Sequence, residues 1–438
     1  MKNNIPETAN KRVVIIGAGF GGLKLAHELA ESNYQVVLID KNNYHQFQPL
    51  FYQVATAGLE PSAISFPLRK IFQKKKNIFI RIVEVQSVNI KANYIQTNID
   101  KINYDFLVLA TGAETNFYNN KKMMQNAVPM KSVAEALGIR NKIIENYEEA
   151  LYAEDKEEQL ALMNIVVVGG GPTGVEVSGT LAEMKKHILP KDYPELDFTK
   201  MQVSLIETSP KVLGTMSQQA SKKATEYLKK LDVAIHTNTS VKDYDGRRVA
   251  LSDGIVLNSK TLIWAAGVIG YKLPGLPADV FIQNNRIKVD EFNKVVGTDN
   301  VFAIGDIACM IEEKYPKGHP QLAQPAIQQA KLLAQNLMNI ENKKGLVPFH
   351  YKNPGTMATV GKNLAVVDLP HFKFHGFFAW LAWMLVHLMS IVGVKNRILI
   401  FINWAWNYIT YDQSLRLIIR PKSKPSVVSV TKEPELVS

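Results

Sequence analysis

Val13-Val14-Ile15-Ile16-Gly17-Ala18-Gly19-Phe20-Gly21-Gly22 and Ile165-Val166-Val167-Val168-Gly169-Gly170-Gly171-Pro172-Thr173-Gly174 decide the fold. In each, a short apolar run enters a turn of the form G-x-G-x-x-G. Such a run reads as a buried strand, and the residues after the turn read as a helix. The first glycine of the turn allows the tight bend. The second removes a Cβ, so that the backbone can approach a pyrophosphate. The third lets the helix pack close to its strand. The pyrophosphate then sits on the helix N-terminus, where unpaired N–H groups and the dipole favour an anion. One such turn is a weak signal. Two in one chain imply two dinucleotides, and a protein that holds two usually passes electrons between them.

The same pattern predicts an acidic residue at the end of the next strand, to hold a ribose 2′-OH. Asp40 ends Gln35-Val36-Val37-Leu38-Ile39, and Glu207 ends Val203-Ser204-Leu205-Ile206. The gap before Glu207 is the longer one, and the segment Lys185 to Lys200 accounts for it as an extended helix and loop. A carboxylate at Glu207 would repel a 2′-phosphate, which favours NADH over NADPH.

The plan recurs along the chain. The first unit closes on Tyr104-Asp105-Phe106-Leu107-Val108-Leu109-Ala110-Thr111-Gly112, an apolar strand entering a small-residue turn. The second closes likewise on Thr261-Leu262-Ile263-Trp264-Ala265-Ala266-Gly267. Between them Val133 to Gln159 reads as helical and charged. A third apolar run, Asn300-Val301-Phe302-Ala303-Ile304, ends at Gly305-Asp306, and a helix follows from about Pro325 to Asn339. Pro348 to Pro370 reads as loop and short strands. The fold class is therefore α/β with two Rossmann-like dinucleotide-binding domains.

The net charge of +11, from 51 Lys and Arg against 40 Asp and Glu, suits nucleic acid or an anionic membrane surface. No nucleic-acid motif appears, so the membrane is favoured; the run Lys74-Lys75-Lys76 by itself reads as a solvated face. Cys309 is the only cysteine, which forbids an intramolecular disulfide and removes the cysteine-pair chemistry of disulfide-reducing flavoenzymes. The first apolar run breaks at Gly17, too soon for a signal peptide, so the catalytic part is expected in the cytoplasm. Near the other end, Gly376 to Val394 has only His387 and Ser390 as clearly polar residues. Ile398 to Tyr411 then carries Phe401, Trp404, Trp406 and Tyr408, and Lys395 and Arg397 stand between the two. A helix pair lying on a membrane, a true span and a buried dimer interface all fit. Pro421 to Ser438 is polar and aperiodic and reads as a flexible tail.

Four side chains invite chemistry and also have plain readings. Glu176 lies just past the third glycine of the second turn, where a carboxylate can simply answer the helix dipole. Gln324 and Gln328 share one helix face, and solvent-facing glutamines do the same. Lys373 precedes the apolar stretch, where a lysine can seek lipid headgroups. His371 and His375 have no third ligand nearby, so no metal is expected.

Over roughly Arg12 to Arg420 the chain resembles the type II NADH dehydrogenases, which are single-polypeptide, non-pumping NADH:quinone oxidoreductases with a glutathione-reductase-like fold. Beyond the two turns, three segments carry the resemblance. They are Tyr44-His45-Gln46-Phe47-Gln48-Pro49-Leu50-Phe51-Tyr52-Gln53-Val54-Ala55, the stretch Ala323-Gln324-Pro325-Ala326-Ile327-Gln328, which is similar to the family's A-Q-x-A-x-Q quinone-site motif, and the aromatic C-terminal region.

The resemblance implies non-covalent FAD in the first unit and NADH in the second. FAD would be held by Gly17, Gly19, Phe20, Gly21, Gly22, Asp40, Lys41, His45, Ala110, Thr111, Gly112, Gly305, Asp306, Ala323 and Gln324. NADH would be held by Gly169, Gly171, Pro172, Thr173, Gly174, Glu176, Glu207, Ala266 and Gly267. Glu176, Gln324, Gln328 and Lys373 would serve proton transfer or the quinone. With Pro325 at its first position, the helix would aim its positive end at the flavin. The implied domains are 1–115 and 298–345 for FAD, 116–297 for NADH, 346–420 for membrane anchoring and 421–438 for the tail. The implied partners are NADH, a menaquinone or ubiquinone, the membrane surface and a second copy in a homodimer, with no nucleic acid. The implied location is the cytoplasmic face of the cell inner membrane. The rivals are a flavin reductase with another acceptor, a sulfide:quinone oxidoreductase, which the lone cysteine disfavours, and a slow redox sensor.

Overall fold

Each glycine turn leaves the middle strand of a five-stranded parallel sheet. The structure, a computed structural model, describes residues 2–410 and 416–418; the tail expected at 421–438 lies outside them. The first sheet runs Val301–Ala303, Phe106–Leu109, Arg12–Ile16, Gln35–Asp40, Ile78–Ile82. The second runs Val128–Pro129, Thr261–Trp264, Ile165–Val168, Val203–Ile206, Val233–His236. All neighbours within each are parallel. Parallel strands are covered on both faces, which is why their sequences are continuous apolar runs instead of alternating ones. Val13, Val14 and Ile15 are fully buried, as is Val167 in the second sheet.

The first sheet takes its last strand, Val301–Ala303, from beyond the whole second unit. The helix Ala323–Glu341 then packs against Phe20–Glu28, with Leu25 and Ala26 meeting Ala330, Leu333 and Leu337 in one core. The helix begins two residues before the sequence suggests, so Pro325 is its third residue. The proline costs nothing there, because the first four amides of a helix lack intrahelical partners anyway.

The C-terminal part is an antiparallel sheet, Thr356–Gly361, Leu364–Asp368 and Lys373–His375, followed by helices Phe377–Ser390 and Val394–Thr410. It docks on the second glycine-turn helix, Pro172–His187, edge to face. Gly179 makes this approach possible. A Cβ on it would lie 1.5 Å from the carbonyl oxygen of Val360. The final helix leans on the first unit through three polar side chains. Trp404 Nε1 donates to Gln53 Oε1 at 2.8 Å, Asn407 Nδ2 to the Gly58 carbonyl at 3.3 Å and Asn396 Nδ2 to the Ala63 carbonyl at 3.2 Å.

The apolar stretch from Gly376 makes a helix of 14 residues, with Ile391 extended and Gly393 at φ +85° after it. At about 1.5 Å per residue this falls short of a ~30 Å bilayer core. Among the described residues no helix is long and apolar enough to cross a membrane, so the spanning reading fails.

The Gly179 contact yields a direct test. Gly179→Ala drives a Cβ into backbone that cannot rotate away, and the expected loss is about 2–3 kcal/mol. Gly138, in the helix Val133–Ala150, has open space at its Cβ position. Gly138→Ala should be neutral or slightly stabilising. Thermal melts of the two variants beside the wild type decide it; equal melting of G179A and wild type would refute the tight contact.

Candidate functional site

The two glycine turns repeat one another in detail. Gly17 and Gly169 have φ of +103° and +109°, and a Cβ on them would meet the carbonyls of Ala110 and Ala265 at 2.3 and 2.7 Å. A Cβ on Gly22 or Gly174 would fall 1.9 or 1.8 Å from the carbonyl oxygen of Gly17 or Gly169. Gly19 and Gly171, between them, have nothing within 4 Å of that position. The outer glycines are therefore required by the protein's own packing. The middle one faces open space at a helix N-terminus, the cradle a pyrophosphate needs.

The acidic residues repeat as well. Asp40 accepts from the Ala18 amide at 2.7 Å and the Asn42 amide at 2.7 Å. Glu207 accepts from the Gly170 amide at 2.5 Å and the Ser209 amide at 2.6 Å. Each carboxylate thus ties the second residue of its own turn to the neighbouring strand. Burial pushes the Asp40 carboxyl up, and the amides of Asn42 and Ala18 oppose it.

Around the first turn, His45 is buried with Nδ1 at 2.9 Å from the Ala18 carbonyl. A carbonyl only accepts, so Nδ1 carries the hydrogen, and burial favours the neutral ring. Phe20 meets the His45 ring edge-on at 5.4 Å. Ala110 is buried, and the half-buried Thr111 and Gly112 follow it. Gly21 and Gly305 both back onto Ala326, which draws the first turn, Gly305-Asp306 and the half-buried Ala323 together. The Gly305 amide donates to Gln329 Oε1 at 2.8 Å, and Asp306 pairs with Lys131 at 3.5 Å. Lys41 is exposed.

Gln324 and Gln328 occupy the same helix but different situations. Gln324 is the second residue of the helix and exposed. Gln328 spends both ends of its amide on Lys352, donating to its carbonyl at 2.9 Å and accepting from its amide at 3.0 Å. In the second unit Pro172 and Thr173 are exposed on the first helical turn. Beyond the sheet, the Ala266 carbonyl accepts from Trp264 Nε1 at 2.9 Å, and the exposed Gly267 has φ +75°.

Glu176 is the fifth residue of its helix, past the first turn, so the dipole is a weak reason for it. It is buried at 7% exposure, and burial pushes its carboxyl up to about 8, with the Thr359 amide and the Trp383 indole pulling the other way. Glu183 stands on the same helix face, two turns on. Burial pushes it up to about 7, opposed by the Lys362 amide at 2.6 Å and the Lys362 charge. Glu183 lines a cavity of about 130 Å³ between this helix, the edge strand Thr356–Gly361, the helix Phe51–Ala55 and the C-terminal helices. Tyr52, Thr180, Thr359, Trp383 and Lys362 share its wall. Glu176 adjoins it through Thr359 and Trp383.

Lys373 does not line this cavity. It is exposed on the last strand, opposite Asp368. The lysine at the rim is Lys362, whose ammonium donates to the Tyr408 carbonyl at 2.5 Å. Sequence reasoning missed Glu183, Tyr52 and Lys362. The seven-residue spacing of Glu176 and Glu183 was a readable sign of one helix face; Lys362 carried no local signal. His375 faces the Tyr227 hydroxyl at 3.2 Å, and among the described residues no three metal-ligating side chains gather.

Residues 11–330 match the pyridine nucleotide-disulphide oxidoreductase family, and residues 354–410 match the NDH2 C-terminal domain. The chain is 33% identical over 418 residues to the type II NADH:quinone oxidoreductase Ndh of Mycobacterium tuberculosis, covering 91% of this chain and 88% of that protein. It is 28% identical over 390 residues to the type II NADH:quinone oxidoreductase of Haemophilus influenzae, covering 82% and 87%. Among solved structures, NDH2 from Plasmodium falciparum in complex with NADH has a TM-score of 0.86 at 24% identity, covering 94% of this chain and all (100%) of that one. The sulfide:quinone oxidoreductase of Aquifex aeolicus has a TM-score of 0.70 at 20% identity, covering 94% and 96%. At these identities the structural likenesses speak for the fold.

The buried carboxyl makes a prediction about pH. Glu176 keeps its proton in the folded state up to about pH 8, against 4.5 as its ordinary value. The stability tied to that proton is full below pH 4.5 and is lost as pH rises through 8. Glu176→Gln removes the loss. Its stability relative to wild type should rise between pH 5 and pH 8.5 by a few kcal/mol, at about 1.4 kcal/mol per pH unit. Melting curves across that range test it, and a difference independent of pH would mean that Glu176 is ionised in the fold.

Proposed function

Since the chain belongs to the type II NADH:quinone oxidoreductases, we propose that its two turns hold FAD and NADH and that its carboxyl-lined cavity receives a membrane quinone. The protein is a non-pumping NADH:quinone oxidoreductase, with FAD, NADH and a quinone as its reactants and cofactor. The observation that carries the assignment of residues is the duplicated cradle, each with an open middle glycine and an acid-braced turn, beside a cavity that Glu183 lines and the buried Glu176 adjoins. FAD bound in the first unit supplies the step between the hydride of NADH and the electrons taken by the quinone.

The residues of the chain bind, orient and protonate. The turn at Gly17, Gly19 and Gly22, with Asp40 and Asp306, grips the FAD pyrophosphate and sugars. The turn at Gly169, Gly171 and Gly174, with Glu207, does the same for NADH, and Glu207 opposes a 2′-phosphate. Exposed Gln324 is the amide available to a substrate carbonyl; Gln328 acts through the Lys352 backbone. Glu176, neutral near pH 7, holds a proton beside the cavity.

The C-terminal helices support binding to the membrane surface. Phe378, Leu385, Met389, Phe401, Ile402 and Trp406 are all exposed there at more than half their surface. Apolar area on that scale marks a membrane or partner face. We assign it to the membrane, on the cytoplasmic face of the inner membrane, with homodimerisation taken from the family resemblance. Sulfide chemistry finds no support, because the single cysteine, Cys309, is buried and faces the Lys317 carbonyl.

Two experiments test this reading. In anaerobic rapid mixing, NADH should bleach the flavin quickly, NADPH slowly, and a soluble quinone should restore the colour. Glu207→Gln should narrow the preference for NADH by about tenfold, equivalent to about 1.4 kcal/mol; an unaltered preference would remove Glu207 from that role. In flotation with anionic vesicles the wild type should rise with lipid, and a Leu385→Lys, Ile402→Lys double variant should stay below. Equal flotation would put the membrane face elsewhere.

A further inference from the structure

Reducing a quinone to a quinol takes two electrons and two protons. NADH gives two electrons and one proton as a hydride, so one further proton must come from water in each turnover. We propose that Glu183 takes up that proton at the mouth of the cavity and passes it along the face of the helix Pro172–His187 to Glu176 as Glu176 gives its own proton to the quinone. The proposal rests on the quinone-reductase reading above.

The geometry supplies each part. Glu183 lines the cavity while Glu176 adjoins its inner wall. The two are seven residues apart on one helix, about 10 Å along its axis and on one face. Between them on that face stands Thr180, a residue of the cavity wall whose hydroxyl donates to the backbone carbonyl of Glu176 at 2.9 Å. Across the cavity the Tyr52 hydroxyl is near enough to feel both carboxyls, and it accepts from Gln53 at 2.9 Å. The row of carboxyl, hydroxyl, carboxyl therefore runs along a wall otherwise built from Trp380, Trp383, Met384 and Trp404. An apolar chamber does not need such a row for its packing, because each buried polar group costs free energy unless it is partnered.

The outer end of the row is suited to exchange with water. Glu183 Oε1 accepts from the Lys362 amide, and the Lys362 ammonium sits at the rim against Tyr408. The titratable groups around Glu183 include Lys362 from the strand turn, Tyr52 from the helix Phe51–Ala55 and Tyr408 from the last helix, with Glu176 and, one turn on beside the Lys362 charge, His187 on its own helix. The ammonium favours loss of the Glu183 proton, and burial favours its retention, so the carboxyl is balanced near neutral pH. In the relay, Glu183 gives its proton inward, becomes a carboxylate opposed to Lys362, and regains a proton from water. No oxidant or reductant is involved.

The test uses the full-length flavin-loaded enzyme and Glu183→Gln, which keeps the shape and the bond from the Lys362 amide. Anaerobic flavin bleaching by NADH should remain within about twofold of wild type. Turnover with a soluble quinone should fall by tenfold or more at pH 7.5, and the solvent deuterium isotope effect on that step should grow. Infrared spectra at pH 6 should lose one protonated-carboxyl band that Glu176→Gln leaves in place. Thr180→Val should slow quinone turnover to a lesser degree and serves if the first variant does not fold. Wild-type quinone turnover with an unchanged pH profile in E183Q overturns the relay, as does equal slowing of both half-reactions with a lowered melting point. A wild-type protein that bleaches with NADH but never reduces quinone would instead sink the functional reading itself.

Discussion

A bare patch of helix at Gly179 lies against the carbonyl of Val360, and the arrangement of the site follows from that contact. Glycine within a helix costs about 1 kcal/mol relative to alanine. Here the cost is offset by bringing a strand edge to the helix surface. Amides at the edge then meet the helix's carboxyls in turn, Thr359 facing Glu176 and Lys362 facing Glu183. The same docking takes both carboxyls out of water, which raises their affinity for protons and makes them useful near neutral pH. It also closes one side of the cavity. Packing, proton affinity and the cavity thus share a single cause.

The duplicated units show a second economy. Asp40 and Glu207 each hold the amide of the residue after the first glycine. The turn is braced by a neighbouring strand before any dinucleotide arrives, so binding need not order it, and the entropy cost of ligand binding falls. Each carboxylate oxygen has two lone pairs, which leaves acceptor capacity for a ribose hydroxyl. The acid is part of the turn's architecture, with acceptor capacity to spare.

The C-terminal helices are joined to the first unit by directed bonds as well as by apolar contact. Trp404, Asn407 and Asn396 reach the segment Gln53 to Ala63, which also supplies Gly58 and Thr56 to the cavity. An aromatic seam continues inward. Trp383 stacks on His387 at 4.0 Å, His387 meets Phe47 at 6.4 Å, and Phe47 meets Phe20 beside the first turn at 5.8 Å. Burial pushes His387 down to about 4, so the seam is uncharged at neutral pH. The C-terminal helices and the turn assigned to FAD are therefore parts of one packed body.

The amino-acid sequence by itself determined the two strand-turn-helix units, the acids that end their second strands and the apolar, aromatic-rich character of the C-terminal region. Those features are set within about forty residues by glycine geometry and apolar periodicity, and local physics suffices to read them. The start of the helix at Ala323 was legible to within two residues, since its proline is tolerated at more than one early position. Tertiary structure decided the rest. The resemblance gave Lys373 a part in proton transfer or quinone chemistry, yet strand pairing sets it opposite Asp368 and exposed, and a turn between two strands brings Lys362 to the rim of the cavity. Gln328 shares a helix face with Gln324, but the backbone of Lys352 captures its amide. The carboxyls acquire their proton affinity only when a strand from far along the chain covers them. Such contacts depend on which distant surfaces dock, and the solvation and partners of a side chain follow from docking, which no local pattern encodes.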